Sequence, residues 1–370
     1  MMERKFLLAI TFFLATLSCA RGQLPTEPVT VPPGTMTSTT MPVLAQTPLI
    51  ESTLTSTPTE LPSETPVPSP TLTPQPTATL EPYEEYTIEH LRARSYGGGV
   101  FEIAGVLAES DSFTRYAVRY TSDELYIYAI MTVPAGDGPF PVIILLHGYD
   151  WPSRYNLYDE ALDTDDGFAG EGYLVLRPAM RNYAPSDAGD NLFRVGIAVD
   201  VLNLIGLVKS QGGKVGPLVQ ANPNRIGLWG FSMGGGVALR VLTISSDVDA
   251  AMLYAPVSGD ESKNRNLFHR LSTGYDTQFN GEGAASEAQL ELISPSYYYS
   301  SINTPLLIFH GTADSVVPVD WTVETCELIA TLAENPECIF YDGAGHSFVS
   351  RYLEDMMPRM YDFYDRYLRQ

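Results

Sequence analysis

Two rhythms of apolar residues run through residues 83–370. The first has a period of two. Strand-like stretches occupy Val100 to Leu107, Thr114 to Thr121 and Leu125 to Val133, and in the third Tyr126, Tyr128 and Ile130 share one face. The second rhythm consists of short runs without a polar side: Val142-Ile143-Ile144-Leu145-Leu146, Tyr173-Leu174-Val175-Leu176, Arg225-Ile226-Gly227-Leu228-Trp229, Ala250-Ala251-Met252-Leu253-Tyr254 and Pro305-Leu306-Leu307-Ile308-Phe309. A strand covered on both faces has no solvent side, so these runs predict parallel strands beneath helices. The helices are predicted at Val195 to Val208, Ser232 to Ile244, Trp321 to Ala333 and Phe348 to Leu368, with Ile197, Val201, Leu204 and Val208 near one helical face. The alternation predicts a mostly parallel α/β sheet with right-handed crossovers and an antiparallel N-terminal edge. Ser258 to Ser300 interrupts it with a long polar stretch between two core strands. Such an insertion is either a lid or a surface excursion.

Ahead of the domain both rhythms vanish. Residues 20–82 are dominated by Thr, Pro and Ser, as in Thr57-Pro58-Thr59-Glu60-Leu61-Pro62. This composition buries too little apolar surface to offset ordering entropy, and Pro extends it, so a disordered spacer is expected. At about 3.1 Å per residue, about 60 residues reach at most roughly 180 Å. Residues 1–19 combine Arg4-Lys5, an apolar run from Phe6 to Leu17, and Ser18-Cys19. The run is short for a bilayer span, and the arrangement resembles a bacterial lipoprotein signal cut ahead of a lipidated Cys, with Thr16 where Leu is usual. An ordinary signal peptide, or an uncleaved anchor, fits the same residues. Lipidated Cys19 would tether the protein to a membrane; an ordinary signal would release it.

Lys plus Arg number 22 and Asp plus Glu 44, a formal net charge of −22. Phosphate binding needs a basic face, so no nucleic-acid partner is expected. Besides Cys19 the chain has only Cys326 and Cys338, either a disulfide or two separate thiols. No Cys/His cluster has metal-ligand spacing, and no metal or organic cofactor is expected.

Gly230-Phe231-Ser232-Met233-Gly234 has the form G-x-S-x-G, directly after one predicted strand and opening a helix. A sharp strand-to-helix turn needs small neighbours, exposes the Ser hydroxyl and sets it by a helix N-terminus. A hydroxyl attacks only when a base takes its proton, and the base works best when a carboxylate holds it. Asp314, in His310-Gly311-Thr312-Ala313-Asp314, follows a strand, and His346 follows the short Ile339-Phe340-Tyr341 strand. Both fall in loops at strand carboxyl ends, where open sheets build sites. Asp320 begins a predicted helix, Asp342 lies in the turn before His346, and His310 precedes the carboxylate, so none competes well. His90 and His269 read as structural. The two oxyanion donors are expected to be the Met233 amide, next after the nucleophile, and the Tyr149 amide in His147-Gly148-Tyr149. His147 then either orients that loop or simply packs at the strand end.

With these residues in view, Pro139 to Phe348 resembles the catalytic domain of the prolyl oligopeptidase family and the related dienelactone-hydrolase-like esterases. The likeness rests on Asn224-Arg225-Ile226-Gly227 leading to Gly230–Gly235, on Ser294-Pro295 with Thr304-Pro305-Leu306-Leu307-Ile308, and on the His310–Asp314, Val317-Pro318 and Gly345–Phe348 stretches. It implies an α/β-hydrolase fold with a Ser232, Asp314, His346 triad in that chain order. Two departures stand out. Family peptidases usually carry a β-propeller, but a spacer and a few strands occupy the segment ahead of this domain. Arg181-Asn182-Tyr183 stands where the family often has Arg-Gly-Ser, which makes Arg181 and Tyr183 candidate pocket residues. The expected reaction is hydrolysis of a small ester or a short peptide outside the cytoplasm, small esters slightly favoured. A non-catalytic binding protein on the same fold, and acyl transfer to a sugar or alcohol, are the alternatives.

Overall fold

The computed structural model describes residues 82–158, 162–272, 282–332 and 336–369. The signal-like segment, Cys19 and the spacer up to residue 81 lie outside the described residues.

Among the described residues nine strands, β1 (Phe101–Glu109), β2 (Phe113–Ser122), β3 (Leu125–Pro134), β4 (Phe140–Leu146), β5 (Leu174–Ala179), β6 (Ala221–Phe231), β7 (Ala250–Tyr254), β8 (Leu306–Gly311) and β9 (Glu337–Tyr341), form one sheet. Their order is β1-β2-β3-β5-β4-β6-β7-β8-β9. The pairs β1–β2, β2–β3 and β3–β5 are antiparallel, and every later pair is parallel. The helices are α1 (Ile88–Ala93), α2 (Asp163–Gly170), α3 (Val195–Gln211), α4 (Met233–Ile244), α5 (Glu261–Ser272), α6 (Glu287–Ile293), α7 (Val319–Leu332) and α8 (Ser350–Leu368).

The continuous apolar runs are explained by two cores, one on each face of the sheet. In β4, Val142, Ile144 and Leu146 pack with Ile197 and Val201 of α3 and Val237 and Val241 of α4. Ile143 and Leu145 point the other way, into a core with Phe168 of α2 and Met360, Phe363 and Tyr364 of α8. The five side chains from Val142 to Leu146 are fully buried. A polar residue at any of them would face hydrocarbon, which is why the run has none. The period-two strand β3 differs at its start. Ile127, Ala129 and Met131 face the core, while Tyr126 and Tyr128 are on the outer side.

The Ser258–Ser300 stretch contains α5, α6 and two short 3₁₀ turns, with residues 273–281 outside the described residues. Its polarity conceals an internal anchor. Arg194, just ahead of α3, donates to Glu261 of α5 and, at 3.1 Å, to Glu282. Arg240 of α4 donates to Glu261 as well, and to the carbonyls of Ile293 (2.6 Å) and Phe193 (3.1 Å). Each of the four charged side chains is at most 4% exposed. At the β9 edge of the sheet, a disulfide joins Cys326 of α7 to Cys338 of β9.

Candidate active site

The parallel strands β4, β6, β7, β8 and β9 end at one edge of the sheet. Register aligns Leu146 with Gly230, Phe231 with Tyr254, Tyr254 with Phe309 and Gly311 with Tyr341. The residues that follow these positions therefore meet in space although they are far apart in the chain. At β4 the chain order reverses, with β5 on one side and β6 on the other, and the crevice at such a point is where open sheets bind ligands.

Ser232 stands between β6 and α4 with φ 52° and ψ −113°, a backbone conformation costly for any residue with a Cβ. Hydrogen bonds hold it there. Its amide donates to the Tyr254 carbonyl at 2.9 Å, and its carbonyl accepts from Gly235, Gly236 and Val257. The glycines make the turn sterically feasible. A Cβ on Gly234 would sit 2.2 Å from the Leu146 carbonyl oxygen, and one on Gly230 would sit 2.6 Å from the Gly234 carbonyl.

The Ser232 hydroxyl lies 2.9 Å from Nε2 of His346, and Nδ1 of His346 lies 2.7 Å from Oδ2 of Asp314. Oδ1 of Asp314 accepts from the amides of Val316 (2.8 Å) and Val317 (2.9 Å). Burial opposes its charge. Hydrogen bonds from His310, His346 and the two amides outweigh that, and they hold the carboxyl well below the usual carboxylate range. The carboxylate is thus ionised throughout the neutral range. The His346 ring packs on Phe231 with ring centres 5.0 Å apart, and Phe231 packs on Tyr254. Tyr254 accepts the amide of Phe348, which ties down the loop carrying His346.

On the facing loop, Gly148 backs onto the nucleophile: a Cβ there would lie 3.3 Å from the Ser232 Cβ. His147 is buried, and its Nδ1 lies 2.7 Å from the Gly148 carbonyl. A carbonyl only accepts, so Nδ1 carries the proton. In a planar trans peptide the carbonyl and the next N–H point in opposite directions, so this bond turns the Tyr149 amide away from His147. Burial pushes the His147 ring down to about 4, against the pull of the Gly148 carbonyl. The ring stacks on Tyr155 (4.6 Å) and meets Tyr183 edge-on (4.7 Å). The Tyr149 ring packs against Phe268 of α5 at 6.1 Å, which brings the 258–300 insertion to the rim of the site.

The structure therefore brings Ser232, His346 and Asp314 into one hydrogen-bonded line and seats the 147–149 loop beside Ser232. Arg181 is placed differently. Its guanidinium and amide both bind Asp200, and Nη1 donates to the Asp190 carbonyl at 2.9 Å, with the side chain 8% exposed. Tyr183 is fully buried, its hydroxyl 3.9 Å from the sulfur of Met233. Asp342 accepts from the Thr312 hydroxyl, and Asp320 lies in the first turn of α7. His310, set aside on chain order, is a direct neighbour of Asp314 at 3.1 Å.

Comparisons fit this architecture. Residues 217–370 match the model of the prolyl oligopeptidase family. The fold is similar to acetyl xylan esterase 1 from Thermoanaerobacterium sp. JW/SL YS485, with TM-score 0.55 and 18% identity over 76% of this chain and 93% of that one. It is similar to the Pyrococcus furiosus esterase Pf2001, with TM-score 0.53 and 20% identity over 72% of this chain and all of that one. It is also similar to the Pyrococcus horikoshii acylaminoacyl peptidase, with TM-score 0.54 and 21% identity over 70% of this chain and 42% of that one. No curated protein matches the sequence. The chain therefore shares the fold of these esterases and peptidases, and its residues 217–370 resemble the prolyl oligopeptidase family.

Proposed function

We propose that the protein hydrolyses small esters through an acyl-enzyme on Ser232. The observation that carries this reading is the unbroken line from the Ser232 hydroxyl through His346 to Asp314, 2.9 and 2.7 Å, at a strained strand-to-helix turn. His346 takes the Ser232 proton on Nε2 as the oxygen attacks the carbonyl carbon. The developing oxyanion is received by the amides of Met233 and Tyr149. His346 then passes the proton to the leaving group, and water repeats the sequence in reverse. Asp314 keeps the His346 proton on Nδ1 and balances the imidazolium.

Small esters are favoured over peptides because Arg181, the pocket cation expected from the sequence, is engaged by Asp200. Short-peptide hydrolysis is the second reading, supported by the family match of residues 217–370. The same residues would serve if the acceptor were a sugar or alcohol. Export is part of the proposal: the basic, then apolar start ending at Cys19 suits a lipoprotein signal, and the Cys326–Cys338 disulfide suits an oxidising compartment.

The test is a side-by-side assay of the full chain on p-nitrophenyl acetate, butyrate and octanoate and on aminoacyl and prolyl p-nitroanilides. Ester turnover lost in Ser232→Ala, with anilides untouched, is the expected result. Efficient anilide cleavage overturns the ester preference, and turnover that survives Ser232→Ala overturns the nucleophile.

A further inference from the structure

We infer that His310 is a positioning residue for the catalytic carboxylate, acting on Ser232 and His346 only through Asp314; this rests on the triad proposed above. His310 is the penultimate residue of β8, and its ring is fully buried. Its Nε2 lies 3.1 Å from Oδ2 of Asp314 and 3.1 Å from the Val317 carbonyl. A carboxylate and a carbonyl both only accept, so Nε2 carries the proton and shares it between them. Nδ1 lies 2.6 Å from the hydroxyl of Thr322, itself 1% exposed in the first turn of α7. Thr322 can donate that bond, and the singly protonated ring is then satisfied at both nitrogens.

Asp314 consequently receives four donors. The Val316 and Val317 amides fill Oδ1, and His346 and His310 fill Oδ2. The two amides come from its own loop and would move with it. His310 is the donor fixed on the rigid sheet, and Thr322 holds the far side of its ring from a separate helix. A ring held from β8 and α7 sets the plane of the carboxylate, and the carboxylate sets the His346 ring. Without the His310 donor, Oδ2 keeps only His346, and the carboxylate can rotate about its Cβ–Cγ bond.

The test follows modification of Ser232 by a fluorophosphonate, which needs the activated hydroxyl but no knowledge of the substrate. The full chain carries His310→Leu, His310→Gln or Thr322→Val. In His310→Leu the labelling rate should fall by about 10- to 100-fold, the effect of one hydrogen bond to a charged group. His310→Gln, whose Nε2 amide can reach the same oxygen, should recover most of that rate at a matching melting temperature. Thr322→Val should slow labelling about 3- to 10-fold, the effect of one hydrogen bond, and it tests the idea even if His310→Leu does not fold. A rate in Thr322→Val and His310→Leu equal to wild type overturns the inference and leaves the triad standing. Equal losses in the Leu and Gln variants also overturn it, since a packing role would give that result. Wild-type chain that does not label at Ser232 overturns the triad reading and this inference with it.

Discussion

Replacing Glu261 by Leu should destabilise the domain by about 3–5 kcal/mol, the cost of removing one partner from a buried ion pair. The four charges of Arg194, Arg240, Glu261 and Glu282 sum to zero, and their side chains are 2–4% exposed. Glu261 accepts from both arginines, so its loss leaves two buried guanidinium groups facing one carboxylate. The revealing comparison is Arg240→Met combined with Glu261→Leu. That variant removes more atoms but leaves Arg194 and Glu282 as a balanced pair at 3.1 Å. Its remaining cost is two carbonyls, Ile293 and Phe193, stripped of their Arg240 donors, about 1–3 kcal/mol each at most. Urea unfolding of the full chain reads both variants. With a slope of about 3 kcal/mol/M, Glu261→Leu should lower the midpoint by about 1–1.7 M. The double variant should lie closer to wild type than the sum of the two single losses. Limited proteolysis within 258–300 should rise in the single variant, because the cluster joins that stretch to α3 and α4. A midpoint change of less than about 0.3 M for Glu261→Leu, or strict additivity in the double variant, would refute the reasoning.

Three further outcomes are expected. The His147 value lies below the ordinary 6.5, so the unfolded chain binds more protons; stability should be intact above about 6.5 and fall until about 4, by about 3 kcal/mol in all. His147→Phe should flatten that part of the stability–pH curve measured by urea midpoints. Replacing Cys326 and Cys338 by Ala together opens a loop with a sequence separation of 12 and should cost about 3 kcal/mol, read in the same assay. Asp314→Asn keeps the shape of the side chain but loses its charge and its hold on the His346 tautomer; ester turnover should fall about 10⁴-fold while far-ultraviolet circular dichroism stays unchanged.

The parts of the fold that read clearly in the sequence are those where burial acts on every residue. The β4 run is apolar at each position because both its faces are covered, and β6 and β7 are legible for the same reason. The strand-to-helix turn is legible through Gly230 and Gly234, because a Cβ on either would meet backbone at 2.6 or 2.2 Å. What stayed hidden depends on distant partners. Helix α2, with Asp163, Asp165 and Asp166 in its first turn, looks like a polar loop until Arg177 of β5 is seen to bind Asp165 at 2.7 Å. The 258–300 stretch looks solvated because half of its ion cluster lies on Arg194 and Arg240, outside the stretch. Arg181 reads as a pocket residue until Asp200, a mid-helix carboxylate of α3, takes it. Chain order passes over His310, because it is a rule about nucleophile, acid and base and is silent on a second imidazole behind the acid.

The central claim is an acyl-enzyme on Ser232, and its most direct measurement is rapid mixing of the full chain with p-nitrophenyl acetate, followed by acid quench and peptide mass analysis. The account predicts a p-nitrophenol burst approaching one equivalent per chain and an acetyl group on the peptide containing Ser232, both absent in Ser232→Ala. Turnover without any acylated peptide, or acylation at another residue, would contradict it.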